Sequence, residues 1–335
     1  MKLKEHVLDI CSFISLLGAI YFYQVTQDLV NDLSQYRQAN LNITESLDQE
    51  GVVFNRVPKV GSEMFWAILD KLATLNNFTS YSDSPEVKRK RKSENTFLAT
   101  QTERRHYFDI IQLNLTKPYT YTKHLNYIDF TEFNVTNPIY INLVRHPVDR
   151  VISWYYYNRA PWHIVRWDQE RNDSTLSPNA PSLYKLKRTF EECVLDREDE
   201  CRYEKGQSVH HGRGGSHYSQ IAFFCGHHWE CEVFESPKAL ARAKANVEKS
   251  FAVVGDLSAL EKSLTVFEAY LPRYFKGVHE VYFDHMKGAQ KNKNIYKPKT
   301  SRVIRNQLLG NFTLEIQFYE FCQQRLHRQY LAITE

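Results

Sequence analysis

The sequence predicts an α/β domain with a mainly parallel central sheet flanked by helices, preceded by one N-terminal transmembrane helix. Three observations carry that expectation. Val52–Val57 reads as a strand, and the short runs Pro138–Val144 (PIYINLV) and Phe251–Val254 (FAVV) have the nearly continuous hydrophobicity of strands buried on both faces. A helix-like segment follows each, at Met64–Leu75, Val148–Asn158 and Ala259–Tyr270, and this alternation builds parallel sheets. Ahead of them lies an uncharged stretch, Ile10–Val25 (ICSFISLLGAIYFYQV).

At about 1.5 Å per residue, that stretch spans roughly 24 Å as a helix, short for a plasma membrane but acceptable in a thinner internal one. Lys2 and Lys4 precede it and Asp28 and Asp32 follow, so the charge bias places residues 1–9 in the cytosol and the bulk in a lumen. The expected order is a cytosolic tail over 1–9, a signal-anchor over 10–25, a stem over 26–50 and a lumenal domain over 51–335. A cleaved signal peptide is the rival reading, although no small-x-small site stands out where the run ends in YFYQVTQDL. In the stem, Leu29, Leu33 and Tyr36 fall at helical spacing, too few for a coiled coil. Six sequons, at Asn42, Asn77, Asn114, Asn134, Asn172 and Asn311, favour a secretory route. The close spacings Cys193/Cys201 and Cys225/Cys231 suggest two short-loop disulfides in an oxidising compartment, with Cys322 left over and buried on a helix.

With 335 residues, 42% of them hydrophobic, the chain can bury one sizeable core. A net charge of +4 is too small to argue for nucleic acid. Residues 76–96 read as an irregular insertion carrying the basic run Lys88–Lys92. That run fits a solvated loop, a proprotein-convertase site or a contact for an anionic glycan, while the anchor contradicts a nuclear signal. Residues 160–187 are loop, and Leu308–Tyr330 reads as the last helix. No internal repeat or clean linker divides the domain. His210, His211, His217, His227 and His228 flank Cys225 and Cys231, but their spacing fits no standard zinc site, and no metal is expected.

The stretch FNRVPKVGSEMF, Phe54–Phe65, is a loop between strand and helix with one glycine, Gly61, preceded by Lys59. It lacks the Walker order G-x-x-x-x-G-K-[ST], yet helix-start N–H groups, a Lys charge and the Ser62 hydroxyl suit an anion. Alone, it reads equally well as an ordinary turn. In INLVRHPVDRVISWYYYNR, Arg145 sits at the carboxyl end of a buried strand, where open α/β sheets place ligands. Ser153 lies two helical turns further on. Taken alone, an Arg145–Asp149 surface pair with a packed serine is the simpler account. Together the segments suit a nucleotide with separate 5′ and 3′ phosphates.

FNRVPKVGS, PIYINLVRHPVDRVISWYYYNR and FFCGHHWEC together resemble the uronyl and heparan sulfate 2-O-sulfotransferase family, with the closest look to its uronyl and Pipe branch. The resemblance extends through most of Val52–Tyr330, including RTFEECV and ARAKANVEKSFAVVGDLSALEKSL. It implies a P-loop-like sulfotransferase fold, a Golgi type II membrane protein, a possible homotrimer and the donor 3′-phosphoadenosine 5′-phosphosulfate (PAPS). Lys59, Val60, Gly61, Ser62 and Glu63 then look like the 5′-phosphosulfate loop, and Arg145 with Ser153 like the 3′-phosphate grip. Tyr282, Lys293 and Lys297 are further implied nucleotide contacts, and Arg56 an acceptor-sugar contact. The general base falls on His124 in YTKHLNYIDF, and Lys59 would neutralise charge on the leaving oxygen. No metal is implied, because a sulfuryl group carries less charge than a phosphoryl group. Thr122 stands where heparan-type enzymes have a second histidine, and His146 replaces the usual aspartate after Arg145. The implied reaction is sulfuryl transfer to a glycan hydroxyl, at the 2-O position of a hexuronic acid. The rivals are a non-catalytic glycan- or nucleotide-binding protein of the same fold and a kinase-type P-loop enzyme.

Overall fold

The computed structural model describes residues 13, 15–30, 41–82, 96–162, 165, 186–209, 219–288 and 296–334. Five strands form one sheet: β1 Asp48–Asn55, β2 Thr79–Ser82, β3 Tyr119–Lys123, β4 Pro138–Val144 and β5 Phe251–Asp256. Their order is β2-β3-β1-β4-β5, and every pairing is parallel. The chain leaves β1 for one side of the sheet, returns through β3, and crosses to β4 on the other. This reversal leaves a crevice at the carboxyl ends of β1 and β4, where parallel sheets accept ligands.

Helices cover both faces. Helix α1 (Ser62–Leu75) buries Phe65, Ile68, Leu69 and Leu72, the one-sided spacing of a core-facing helix. Burying each such side chain is worth about 1.5–3 kcal/mol relative to exposure. Helix α2 (Gln101–Leu113) starts in a capping box between Thr100 and Glu103. In α3 (Pro147–Asn158), Pro147 takes the first turn and Val148, Val151, Ile152, Tyr155 and Tyr156 face inward. The chain continues through α4 (Phe190–Leu195), α5 (Ile221–Cys225), α6 (Pro237–Ser250), α7 (Leu260–Tyr270), α8 (Pro272–Phe275), α9 (Val278–Gly288), α10 (Arg302–Asn311) and α11 (Thr313–Thr334). The main core surrounds the sheet; a smaller one joins the apolar face of α3 to Phe190, Ile304, Leu308 and Phe312.

The strand expected over Pro138–Val144 is observed with those bounds, and other elements differ instructively. The first strand runs over Asp48–Asn55, so it begins within the stretch expected as stem. The Leu41 carbonyl accepts from Arg325 and Gln329, tying this segment to α11. Residues 76–96, expected to be irregular, contain β2. The strand expected over Phe251–Val254 continues to Asp256, with Gly255 inside β5. A Cβ there would stand 3.0 Å from both Phe267 and Ser263, so the glycine lets α7 pack onto the strand. The single closing helix expected over Leu308–Tyr330 is two helices that meet at Phe312.

Residues 13 and 15–30 are helical with exposed side chains, and among the described residues no helix is long and apolar enough to cross a membrane. Residues 10–12 and 14 of the expected anchor lie outside the described set, as do Asn172, Lys293, His210, His211, His217 and the run Lys88–Lys92. Both expected disulfides are present, Cys193–Cys201 and Cys225–Cys231, and Cys322 is free and buried. The pairing of Cys225 with Cys231 removes both thiolates from any zinc site with His227 and His228. Of the sequon asparagines, Asn42, Asn77, Asn114 and Asn134 are exposed and Asn311 is half-buried.

Candidate active site

The carboxyl ends of β3, β1 and β4 lie side by side, and each delivers one of the singled-out residues. Two buried asparagines lock the middle of this edge. Asn142 on β4 donates to the Asn55 carbonyl (2.7 Å) and to Asn55 Oδ1 (3.0 Å), while its own oxygen accepts from the Leu143 N–H (2.8 Å) and, more distantly, from Val57 N–H (3.4 Å). Asn55 in turn donates to the Phe223 carbonyl. Polar groups at this depth are costly unless bonded, so the pair fixes where β1 ends and the loop starts.

The loop itself turns through left-handed backbone at Lys59 (φ 67°) and Gly61 (φ 87°). Gly61 caps α1 without a side chain, which leaves the first-turn N–H groups of the helix pointing into the crevice. A Cβ on Gly61 would stand 2.7 Å from Leu257, a second reason for glycine. Val60 is fully buried and offers only its backbone, and Ser62 is buried beneath the turn. The Lys59 ammonium lies 3.7 Å from the centre of the Tyr157 ring, a cation–π contact.

Arg145, one residue beyond β4, donates from Nη1 to the Lys59 carbonyl at 3.1 Å. The two segments, separated in sequence, therefore meet at one place. Ser153 is half-buried on α3, with Asp149 and Tyr157 one turn to either side, so it lies on the helix face that meets Lys59. Asp149 is taken by Arg305 of α10 at 2.7 Å. Lys297 is exposed and close enough to Lys59 and Arg145 for their charges to interact.

These cations disturb one another. Burial, then Arg145, lowers the Lys59 ammonium to about 8; Glu63 opposes the shift and Lys297 adds to it. Burial also lowers Arg145, with Asp149 opposing. Lys297 is lowered by its crowded surroundings and then by Arg145. Positive charges held together at a cost are relieved by a multiply charged anion. The donor set of helix-start N–H groups, Lys59, Arg145 and Lys297 therefore fits a nucleotide carrying several phosphate-like charges.

On the other side of β1, His124 follows the last residue of β3. Its Nδ1 lies 2.8 Å from the Arg56 carbonyl, and the Arg56 N–H donates to the Lys123 carbonyl at 2.9 Å. The buried Arg56 guanidinium reaches Glu63 at 2.9 Å, so Glu63 faces an arginine and not the loop interior. Lys123 is buried beside them, and burial followed by Arg56 lowers its ammonium to about 8. Tyr282 packs beside Phe283 and against the main core on α9.

The structure thus brings together Lys59, Gly61, Arg145 and Lys297 on one flank of β1 and Arg56, Glu63 and His124 on the other. Sequence reasoning missed Asn55, Asn142, Tyr157 and Lys123. The asparagines did leave a signal, as isolated polar residues near the ends of the apolar runs VVFN and IYINLV.

Comparison with known proteins agrees with this geometry. A family model described as the sulfotransferase family matches residues 46–322. The chain is 33% identical over 319 residues to the Drosophila melanogaster uronyl 2-sulfotransferase homolog pip, covering 92% of this chain and 59% of that protein. It is 30% identical over 281 residues to human uronyl 2-sulfotransferase, covering 82% and 62%. It is also 30% identical over 285 residues to mouse heparan sulfate 2-O-sulfotransferase 1, covering 84% and 72%. The chain therefore spans about three-fifths of the length of the first two relatives. Since the matched region reaches from the residues just before β1 into α11 and takes in every strand of the sheet, the chain belongs to the sulfotransferase family.

Proposed function

We propose that this chain moves a sulfuryl group from PAPS to a glycan hydroxyl, at the 2-O position of a hexuronic acid in an anionic glycan. The observation that carries the reading is the His124–Arg56 hydrogen bond. A carbonyl oxygen only accepts, so Nδ1 holds the ring proton and Nε2 keeps the lone pair. That is the tautomer a general base requires, held beside a loop and a set of cations suited to a nucleotide.

When bound, PAPS supplies an activated sulfuryl group on a phosphate leaving group. Helix-start N–H groups at Gly61–Glu63 would bind its 5′ end, and Arg145, Ser153 and Lys297 its 3′-phosphate. His124 Nε2 takes the proton of the acceptor hydroxyl as that oxygen bonds to sulfur. Lys59 would hold positive charge at the loop, beside the leaving phosphate of a bound donor. Arg56 and Lys123 favour an acidic sugar on the His124 side. The uronyl and heparan sulfate acceptors named for the relatives agree with that preference.

The cellular setting belongs to the same reading. Residues 10–25 anchor the chain as a type II protein of the Golgi membrane, with 26 onward lumenal and the exposed sequons available for glycosylation. The two disulfides fit an oxidising lumen. A homotrimer is the assembly we carry forward.

The test is incubation of the chain with labelled PAPS and a panel of chondroitin, dermatan, heparan and glycoprotein acceptors. Label should enter at least one acceptor and be recovered as a 2-O-sulfated hexuronic acid. Tight binding of the desulfated nucleotide without transfer to any acceptor would favour a non-catalytic binding protein.

A further inference from the structure

Arg145 lies one residue past the end of β4, where the ladder to β5 stops at the Val144–Asp256 pair. Its peptide groups have no strand neighbour to bond, and a side chain takes that place. Gln220 accepts the Arg145 N–H at 3.0 Å and donates from Nε2 to the Arg145 carbonyl at 2.8 Å. An amide paired this way copies the hydrogen bonds of an adjacent strand.

Gln220 is itself fixed from below. It is fully buried, and its backbone N–H donates to Glu315 Oε2 at 2.9 Å. The other Glu315 oxygen accepts from the Ser219 hydroxyl (2.5 Å) and the Ile221 N–H (3.3 Å). Glu315, also fully buried, stands in the first turn of α11, where Glu235 binds the N–H groups of Leu314 and Glu315. Burial pushes the Glu315 carboxyl up to about 7, and the buried Arg150 of α3 opposes the shift. A carboxylate is costly at this depth, and here it is spread over three donors that all lead to the segment carrying Gln220.

We propose that Gln220, held by Glu315, is a positioning residue that aims Arg145 at the 3′-phosphate of the nucleotide. The inference rests on the reading that Arg145 binds that phosphate. A guanidinium can meet a phosphate with two bonds only if its own backbone is fixed, because a tilt at Cα is amplified along the long side chain.

The test measures binding of 3′-phosphoadenosine 5′-phosphate and of adenosine 5′-monophosphate by calorimetry, on the full chain. Arg145→Ala should abolish the preference for the 3′-phosphorylated ligand. Gln220→Leu should reduce that preference about tenfold, the scale of one misdirected charge-assisted hydrogen bond, while monophosphate affinity holds and the melting temperature falls by only a few degrees. Gln220→Met, unbranched and close to glutamine in volume, is the second variant should Leu prevent folding; it removes the same two hydrogen bonds and should reduce the ratio to a similar extent. A wild-type ratio in a folded Gln220 variant, with the ratio lost in Arg145→Ala, overturns the positioning role. An unchanged ratio in Arg145→Ala overturns the underlying phosphate assignment instead.

Discussion

On the β4 flank of β1, Lys59, Arg145 and Lys297 carry charges that burial and one another disfavour. On the β3 flank, the Arg56 carbonyl holds His124 and the Glu63 carboxylate meets Arg56. The first flank stores electrostatic tension that a bound anion releases. The second fixes a tautomer and an orientation, and its charge is partly satisfied already. A site split in this way should lose binding and chemistry separately when residues on either side are changed.

The hardest test of that separation is His124→Ala. Transfer should fall about 10²–10⁴-fold, the usual worth of a general base, while affinity for the desulfated nucleotide is unchanged. Rate assays paired with calorimetry check it. An active variant would end the base assignment, and a matching loss of nucleotide affinity would show that the flanks are not independent.

A smaller effect, on the other flank, is read through pH. Lys59 is lowered to about 8, so in the free chain it loses its charge as pH rises past that value. Its folded value lies below its unfolded one, so the unfolded chain binds more protons between about 8 and 10.5. Across that window, the Lys59 contribution to stability therefore rises with pH, and the penalty is complete below it. An anion beside Lys59 favours the charged form. Nucleotide binding at pH 9 should thus take up protons, seen by calorimetry in buffers of different ionisation enthalpy. Lys59→Arg should abolish the uptake; uptake that persists would place the responsible group elsewhere.

The smallest effect concerns Glu63. The carboxylate is exposed and its pair with buried Arg56 is of the weak surface kind. Glu63→Gln frees the guanidinium for an acidic acceptor and should lower acceptor KM roughly two- to fivefold. Nucleotide affinity should rise at most slightly, as a negative charge near Lys59 is removed, and a rise in acceptor KM would show that Glu63 orients Arg56 productively.

Much of the fold was legible where hydrophobicity is continuous. PIYINLV was read correctly as a strand because both its faces are apolar. TSYS and YTYTK were not read as strands, although YTYTK is buried throughout as β3. Tyrosine and threonine suit strands by shape, and they hide from a search for apolar runs. Helix α2 carries a capping box in TQTE that was passed over. In the site, Lys59, His124 and Arg145 were visible because each belongs to a local motif. Gln220 and Asn142 were not, since they act on residues 75 and 85 or more positions away. A long-range hydrogen bond leaves no periodicity behind.

The five-residue helix α5 touches both flanks at once. Gln220 at its start grips Arg145, the Phe223 carbonyl accepts from Asn55 and Tyr127, and the Gly226 carbonyl just after it accepts from Asn126. The Cys225–Cys231 disulfide closes its end. Mutation in this short segment would therefore disturb both flanks together. A change in a loop leaving the crevice, by contrast, can alter one flank and spare the other.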